Sequence, residues 1–322
     1  MIRGRFAPTP SGLMHIGNIW AALLAWLQVR SANGQFVLRV EDIDKPRCRP
    51  ALAEQALTDL RWLGIEWDEG PDVGGPFAPY TQSERDEWYA AALQRLEQYG
   101  TLYPCFCSRA ELLAVASAPH GLGEEGPSYA GTCRCLTPEE QQQRREVKAP
   151  SLRFRIDENR DFVTFHDGAA GRQTFAADAG GDFVVRRADG IISYQLAVVV
   201  DDAAMGITDV LRGYDLLDST PRQLLLYEAL GLPAPRFAHV PLLMGEDGKR
   251  LAKRHGDTSI AGLRASGVAP EHIIGWLARL AGQTDAVESI SAAELVSGFR
   301  LDLVPTEPIV IDDHAMRQLL RY

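Results

Sequence analysis

The sequence predicts an α/β protein with a parallel sheet, interrupted by an inserted segment. Three observations carry that expectation. The chain opens with a strand–turn–helix–strand pattern; residues 101–150 break that texture and hold four of the five cysteines; and a nearly continuous apolar run returns after residue 190. With 322 residues, 46% of them hydrophobic, the chain has material for two or three domains.

Each element follows from its local pattern. "GRFAPTPSG" is a short strand running into a Gly/Pro turn. "HIGNIWAALLAWLQVRSANG" (15–34) reads as a helix, with Ile19, Leu23 and Trp26 at helical spacing and Gly34 suited to the stop. "FVLRVEDID" (36–44) is a strand with a polar tip. "ALAEQALTDLRWLG" (51–64) places Leu52, Ala56, Leu60 and Leu63 on one side of a second helix, and "ERDEWYAAALQRLEQYG" (84–100) forms a third. Residues 151–156 and 181–187 alternate like antiparallel strands. "IISYQLAVVVDDAAMG" (191–206) reads as a buried strand ending in Asp201 and Asp202. "STPRQLLLYEALG" (219–231) is a helix with Ser219 or Thr220 as cap, Pro221 early and Gly231 at its end. Short helices follow in "APEHIIGWLARLAG", "SAAELVSG" and "DDHAMRQLL". The expected division is 1–100 and 186–256 as two parts of one α/β domain, 101–185 as the insertion, and 257–322 as a small helical region.

Composition excludes several roles. A formal net charge of -10 argues against nonspecific coating of nucleic acid, which needs basic surface. "MIRGRFAPTPSG" has no apolar signal core, and runs such as "LAVVV" are too short to span a bilayer. The expectation is a cytoplasmic protein with no membrane contact and reduced cysteines.

Two segments carry candidate phosphate chemistry. "FAPTPSGLMHIGN" places two prolines and two glycines just before a helix, whose first amides and field favour phosphate. His15 and Asn18 lie in that first turn and offer donors to phosphate oxygens. Taken alone, nucleotide binding and an ordinary helix cap both remain open. "GEDGKRLAKRH" (245–255) follows two turn glycines with Lys249, Arg250, Lys253 and Arg254, which suits a transferring phosphoryl group or a departing pyrophosphate. A solvated basic loop is the plain alternative. Cys105, Cys107, Cys133 and Cys135 form two close pairs, the kind of donor set that staples a small insertion through a tetrahedral thiolate site. A disulfide suits a reducing compartment poorly, and a redox pair usually has two intervening residues rather than one.

In combination these segments resemble the class I aminoacyl-tRNA synthetases. "HIGN" (15–18) matches the first family signature and "RLAKR" (250–254) the second. "RFAPTPSG", "RVEDID", "YQLAVVVDD" and "VLRGYDLLDSTPRQ" look like the glutamyl branch, and the resemblance covers about residues 3–256. Only residues 257–322 remain after it, short of the helical part with which that branch reads an anticodon. The chain therefore resembles the shortened glutamyl-queuosine tRNA(Asp) synthetase paralogues. Alternatives are a truncated glutamyl-tRNA synthetase charging the tRNA 3′ end, or a catalytically inactive tRNA-binding or regulatory protein.

The resemblance implies a Rossmann-like sheet, an insertion carrying one structural Zn²⁺, and a monomer whose partners are ATP with its Mg²⁺, L-glutamate and queuosine-containing tRNA(Asp). It implies Lys253 and His15 as catalytic residues. Phosphate or nucleotide contacts fall on His15, Gly17, Asn18, Arg250, Lys253 and Arg254. Glutamate contacts fall on Arg5, Phe6, Ala7, Pro8, Thr9, Glu41, Tyr194 and Arg212; an arginine suits the carboxylate and Glu41 the ammonium group. Family metal ligands land on Cys105, Cys107, Tyr129 and Cys133, with Cys135 as the alternative fourth ligand. Two positions depart from the family pattern: Asn18 stands for the second histidine, and Ala252 for a serine. Asp42 and Asp44 either shape the pocket or simply end the strand, and Asp201 and Asp202 receive no assigned role.

Overall fold

A computed structural model describes residues 1–108, 110–112, 129–249, 251 and 258–320. Its centre is a four-stranded parallel sheet in the order β2-β1-β8-β9, formed by β1 (Arg3–Phe6), β2 (Gln35–Leu38), β8 (Asp209–Gly213) and β9 (Arg236–Val240). β1 pairs in register with β2 from Arg3↔Gln35 to Phe6↔Leu38, while β8 joins its other side. The chain thus leaves β1 in one direction and returns on the other. That reversal opens a crevice at the carboxyl ends of β1 and β8.

Helices cover both faces because the strands alternate between two cores. Phe36, Leu38, Leu211, Ala238 and Val240 point into one; Val37, Val210 and Phe237 point into the other. The first core also takes helix α1 (Ile16–Ser31), α2 (Pro50–Trp62) and the helices near the C-terminus. α1 lies so close to β1 that a Cβ on Gly4 would come within 2.5 Å of Val29 Cγ2, so only glycine fits there. The second core takes α3 (Asp86–Gln98), α5 (Tyr194–Ala204) and α6 (Thr220–Ala229).

The run at 191–206 corrects the sequence expectation. Residues Tyr194–Ala204 are a helix, not a strand. A continuous apolar run marks burial but does not distinguish the two forms. The deciding signal is Ser193, whose hydroxyl accepts from Leu196 N–H as a helix cap. α6 likewise starts at Thr220 after a 3₁₀ turn over Tyr214–Ser219, and Ser219 makes no side-chain capping bond.

Between α3 and α5 lie a three-stranded antiparallel sheet, β3 (Leu102–Cys105), β4 (Ser151–Phe154) and β7 (Phe183–Arg186), and a hairpin of β5 (Phe162–Asp167) and β6 (Gly171–Ala176). A polar helix, α4 (Pro138–Val147), precedes β4. The last part of the chain holds α8 (Pro270–Leu280), α9 (Ala292–Leu295) and α10 (Asp313–Leu320), as expected, and before them α7 (Ile260–Ala265), which was not expected. It also holds an unexpected strand, β11 (Ile309–Ile311), parallel to β10 (Leu243–Gly245). Among the described residues no helix is long and apolar enough to cross a membrane.

Candidate active site

A cavity of about 380 Å³ opens at the carboxyl ends of β1 and β8. Arg5, Phe6, Ala7, Thr9, Glu41, Tyr194 and Arg212 line it, as do His15, Gly17 and Asn18 from the start of α1. Residues more than two hundred positions apart in sequence therefore share one wall. Pro8 is not part of the lining; its carbonyl accepts from Glu41 N–H at 3.0 Å and so fixes the height of Glu41.

The charges in this wall are anchored from behind. Arg5 Nε donates to Asp202 Oδ1 at 3.3 Å. Arg39, fully buried, donates to Asp202 Oδ1 at 2.7 Å and to Glu41 Oε1 at 2.9 Å. Arg5 and Glu41 are thus held through Asp202 and Arg39, rather than by pairing with one another. Desolvation pushes the Glu41 carboxyl above its ordinary range, with Arg39 opposing that rise. Two arginines and Glu41 at one cavity match an amino acid carrying an extra carboxylate and an ammonium group.

Arg212 adds the other cationic group. Its Nε donates to His239 Nε2 at 2.9 Å and its Nη2 to Thr220 Oγ1 at 2.8 Å. Nη1 has no hydrogen-bond partner among the described residues, although Arg212 is 4% exposed. A buried guanidinium nitrogen without an acceptor invites an anionic ligand.

At the head of α1, His15 Nδ1 accepts from Gly17 N–H at 3.1 Å, and Asn18 Oδ1 accepts from His15 N–H at 3.0 Å. The pair forms a reciprocal cap, so the cap reading and cavity lining hold together. Burial lowers the His15 pKa and favours the neutral ring. With Nδ1 accepting, that ring carries its proton on Nε2, a donor suited to phosphate oxygen.

Arg250, Lys253 and Arg254 lie outside the described residues. Their flanks are informative. Leu251 lines the cavity, and Thr258 O accepts from Ile16 N–H at 2.9 Å in the first turn of α1. The two signature segments are therefore anchored at the same end of the sheet.

The cysteine pairs divide unequally. Sulfurs of Cys105, Cys107 and Cys133 lie within 4.8 Å of one another, a set able to chelate one metal ion. Tyr129 Oη lies 3.6 Å from Cys105 Sγ and accepts from Cys133 N–H at 2.8 Å. Cys135 is exposed and is not part of that trio. The Arg153 guanidinium stacks 3.7 Å from the centre of the Tyr129 ring.

Sequence reasoning singled out most of the cavity wall but missed its supports. Arg39, Asp167 and His239 carry no motif that assigns them a role, Thr220 reads only as a possible helix cap, and Asp202 reads as a strand end. The alternation of Arg39 and Glu41 in "RVEDID" was a usable signal for one of them.

The model for class I tRNA synthetases (E and Q), catalytic domain, matches residues 1–318. The chain is 62% identical to the glutamyl-Q tRNA(Asp) synthetase of Symbiobacterium thermophilum over 312 residues, covering 97% of this chain and 96% of that relative. It is 45% identical to glutamate–tRNA ligase 2 of Alkalilimnicola ehrlichii over 319 residues, covering 98% of this chain but 66% of that relative. The crystal structure of a glutamate tRNA ligase from Elizabethkingia meningosepticum in complex with its amino acid superposes with a TM-score of 0.84 at 30% identity, over 99% of this chain and 68% of that one. Signature segments, sheet order, cavity wall and these matches agree: the chain belongs to the class I tRNA synthetases of the E and Q family and carries their catalytic domain.

Proposed function

We propose that the chain activates L-glutamate with ATP in the absence of tRNA and passes the glutamyl group to the queuosine base in the anticodon of tRNA(Asp). The activation half rests above all on one observation: Arg5, Glu41, Arg212 and the head of α1 line a single cavity. The choice of acceptor rests on the 62% identity, over nearly the whole of both chains, to a glutamyl-Q tRNA(Asp) synthetase.

In the first step an oxygen of the glutamate α-carboxylate attacks the α-phosphorus of ATP. The bond to the β-phosphate oxygen breaks, and pyrophosphate leaves with glutamyl-adenylate left behind. No side chain becomes covalently attached, so positioning and charge stabilisation suffice. Arg5 and Arg212 hold carboxylate, Glu41 holds the ammonium group, and Tyr194 closes the pocket between them. His15 Nε2–H and Asn18 donate to phosphate beside Gly17. Lys253, assisted by Arg250 and Arg254, neutralises charge on the departing pyrophosphate; Mg²⁺ arrives with ATP. In the second step a hydroxyl of the modified base attacks the adenylate carbonyl. The carbonyl–phosphate bond breaks, and the departing AMP takes up the proton.

Residues 1–100 and 186–256 form the catalytic unit in this reading, with 101–185 inserted and 257–322 as a helical appendage. The thiols of Cys105, Cys107 and Cys133 with the Tyr129 hydroxyl suit one Zn²⁺ that staples the insertion; Cys135 is the alternative fourth ligand. Four protein donors leave such a site structural.

The test is glutamate-dependent exchange between ATP and pyrophosphate, with aspartate and glutamine as controls, followed by transfer of labelled glutamate. Exchange without tRNA and label on queuosine-containing tRNA(Asp) are expected. The 45% identity to a glutamate–tRNA ligase supports a second reading, charging of the tRNA 3′ end. Exchange that requires tRNA, with label on a terminal adenosine, would replace the first reading by the second. No exchange from folded protein would sink both and leave an inactive tRNA-binding protein.

A further inference from the structure

We propose that the buried Asp167–His239 pair is a positioning device for Arg212, fixing the guanidinium so that Nη1 stays free for a carboxylate of glutamate. The inference rests on the glutamate-activating reading above.

Asp167 ends β5, is 1% exposed, and meets the backbone of β9, the edge strand of the parallel sheet. Its Oδ1 accepts three backbone N–H groups, from Ala169 at 3.0 Å, Ala170 at 2.9 Å and His239 at 2.9 Å. Its Oδ2 lies 2.6 Å from His239 Nδ1. So many donors stabilise the ionised carboxylate, which then only accepts, and Nδ1 must carry the proton. On the far side of the ring, Arg212 Nε stands 2.9 Å from His239 Nε2. Arginine only donates, so Nε2 must present its lone pair. Two independent contacts therefore demand the same ring: neutral, with its proton on Nδ1.

Arg212 is also held elsewhere. Nη2 donates to Thr220 Oγ1 at 2.8 Å and to Leu216 O at 3.3 Å, while the Thr220 hydroxyl lies 3.2 Å from His239 Nε2, whose lone pair can accept its proton, and 3.4 Å from Leu216 O. The guanidinium stacks 5.1 Å from the Phe237 ring centre, and the His239 ring lies 6.1 Å from the same ring. With Nε and Nη2 committed, Nη1 alone is left without a partner among the described residues. A free arginine side chain samples many rotamers; this one has been reduced to a single presentation.

The charged groups facing His239 are Asp167 from β5, Arg212 from β8 and Asp215 from the turn that follows it. Burial and Arg212 hold the imidazole pKa below its ordinary value, while Asp167 and Asp215 oppose that. A protonated ring would turn Nε2–H against Arg212 Nε–H and place two cations together.

Asp167→Asn makes the device testable. Its amide oxygen still accepts the backbone N–H groups, but its NH₂ now donates to Nδ1 and drives the ring proton to Nε2, against Arg212. In pyrophosphate exchange, D167N should raise the glutamate KM roughly tenfold, the scale of one charged hydrogen bond, and leave the ATP KM within about twofold. Glutamine has no tautomers, so D167N should add less than about twofold in an H239Q background. A rise in both KM values, or the same glutamate effect in the H239Q background, overturns the proposal. So does no rise at all while the wild type is active. Absence of glutamate-dependent exchange in the wild type overturns the underlying reading, and the proposal with it. Should D167N lose its cooperative thermal transition, H239Q and H239A decide. Recovery by glutamine of most of the glutamate affinity lost in alanine supports the device, and equal losses overturn it.

Discussion

Arg39 meets Asp202 at 2.7 Å inside the protein, and through this pair both ends of the proposed glutamate pocket are tied together. Asp202 reaches on to Arg5 at 3.3 Å, and Arg39 reaches on to Glu41 at 2.9 Å. A second carboxylate, Asp201, takes Arg85 Nε at 2.6 Å, Gln82 at 2.8 Å and the Tyr89 hydroxyl at 2.9 Å. Asp201 also lies 3.7 Å from Arg39 Nε, so the two adjacent carboxylates of α5 share that arginine while making otherwise different contacts. Asp202 orients the pocket, and Asp201 fastens the helix to α3 and the turn before it.

Removing the charge of Asp202 leaves Arg39 and Arg5 buried with less compensation. Asp202→Asn should destabilise the fold by about 3–5 kcal/mol, the usual cost of breaking a buried pair from one side. Chemical denaturation would read this directly. A loss under about 1 kcal/mol would show that water or Glu41 takes over the contact.

Glu41→Gln keeps an acceptor for Arg39 but removes the charge offered to the ammonium group. The glutamate KM should rise roughly tenfold to a hundredfold, with the ATP KM nearly unchanged. Steady-state pyrophosphate exchange at varied glutamate and fixed ATP measures it. An unchanged glutamate KM would place the ammonium elsewhere.

How much of this was legible in the sequence varies with the physics involved. α1, α2 and α3 follow from periodicity and turn residues, and all three formed close to the expected bounds. The 191–206 run did not, because burial on all sides erases the period that separates helix from strand. Arg5, Glu41 and Arg212 stood out through motifs. Their supports did not: His239 and Asp167 lie in ordinary strand sequences, and only tertiary contact brings the end of β5 against β9. The β5–β6 hairpin and β11 were missed for a related reason. β5 packs on the rest of the protein, and β11 finds its partner far away at β10.

Metal content separates the two candidates for the fourth ligand. Cys133→Ser should abolish retention of one metal per chain, because its sulfur belongs to the close trio. Cys135→Ser should retain it, because that thiol is exposed and outside the trio. Elemental analysis of purified protein gives the ratio. Loss of metal in C135S would instead make Cys135 the fourth ligand and release Tyr129 from that role.

Stability should depend on pH through the Asp167–His239 pair. Both pKa values are lowered on folding, from 6.5 for the histidine and from 3.8 for the aspartate. For a lowered pKa the unfolded chain binds more protons across the shifted window, so stability is complete above the unfolded value and falls with acid. Thermal melts should therefore weaken as pH drops below about 6.5, with a further loss below about 4. H239Q should flatten the first limb and keep the second. An unaltered first limb in that variant would assign it to other groups.

Lys253 lies outside the described residues, yet its neighbours constrain its task. Leu251 lines the cavity, and the contact between Thr258 and Ile16 returns the chain to the head of α1, where His15 faces the same space. In the proposed reaction a cation on that stretch answers leaving-group charge, and charge stabilisation of that kind acts on the transition state more than on bound ATP. Lys253→Ala should therefore lower kcat by at least roughly a hundredfold, about 2.7 kcal/mol, with a much smaller change in the ATP KM. A melting temperature near that of the wild type would check that the variant is folded. Single-turnover formation of adenylate measures the chemical step without product release. A large rise in the ATP KM at constant kcat would instead make Lys253 a ground-state phosphate contact, and Arg250 or Arg254 would then be the cation that answers the developing charge.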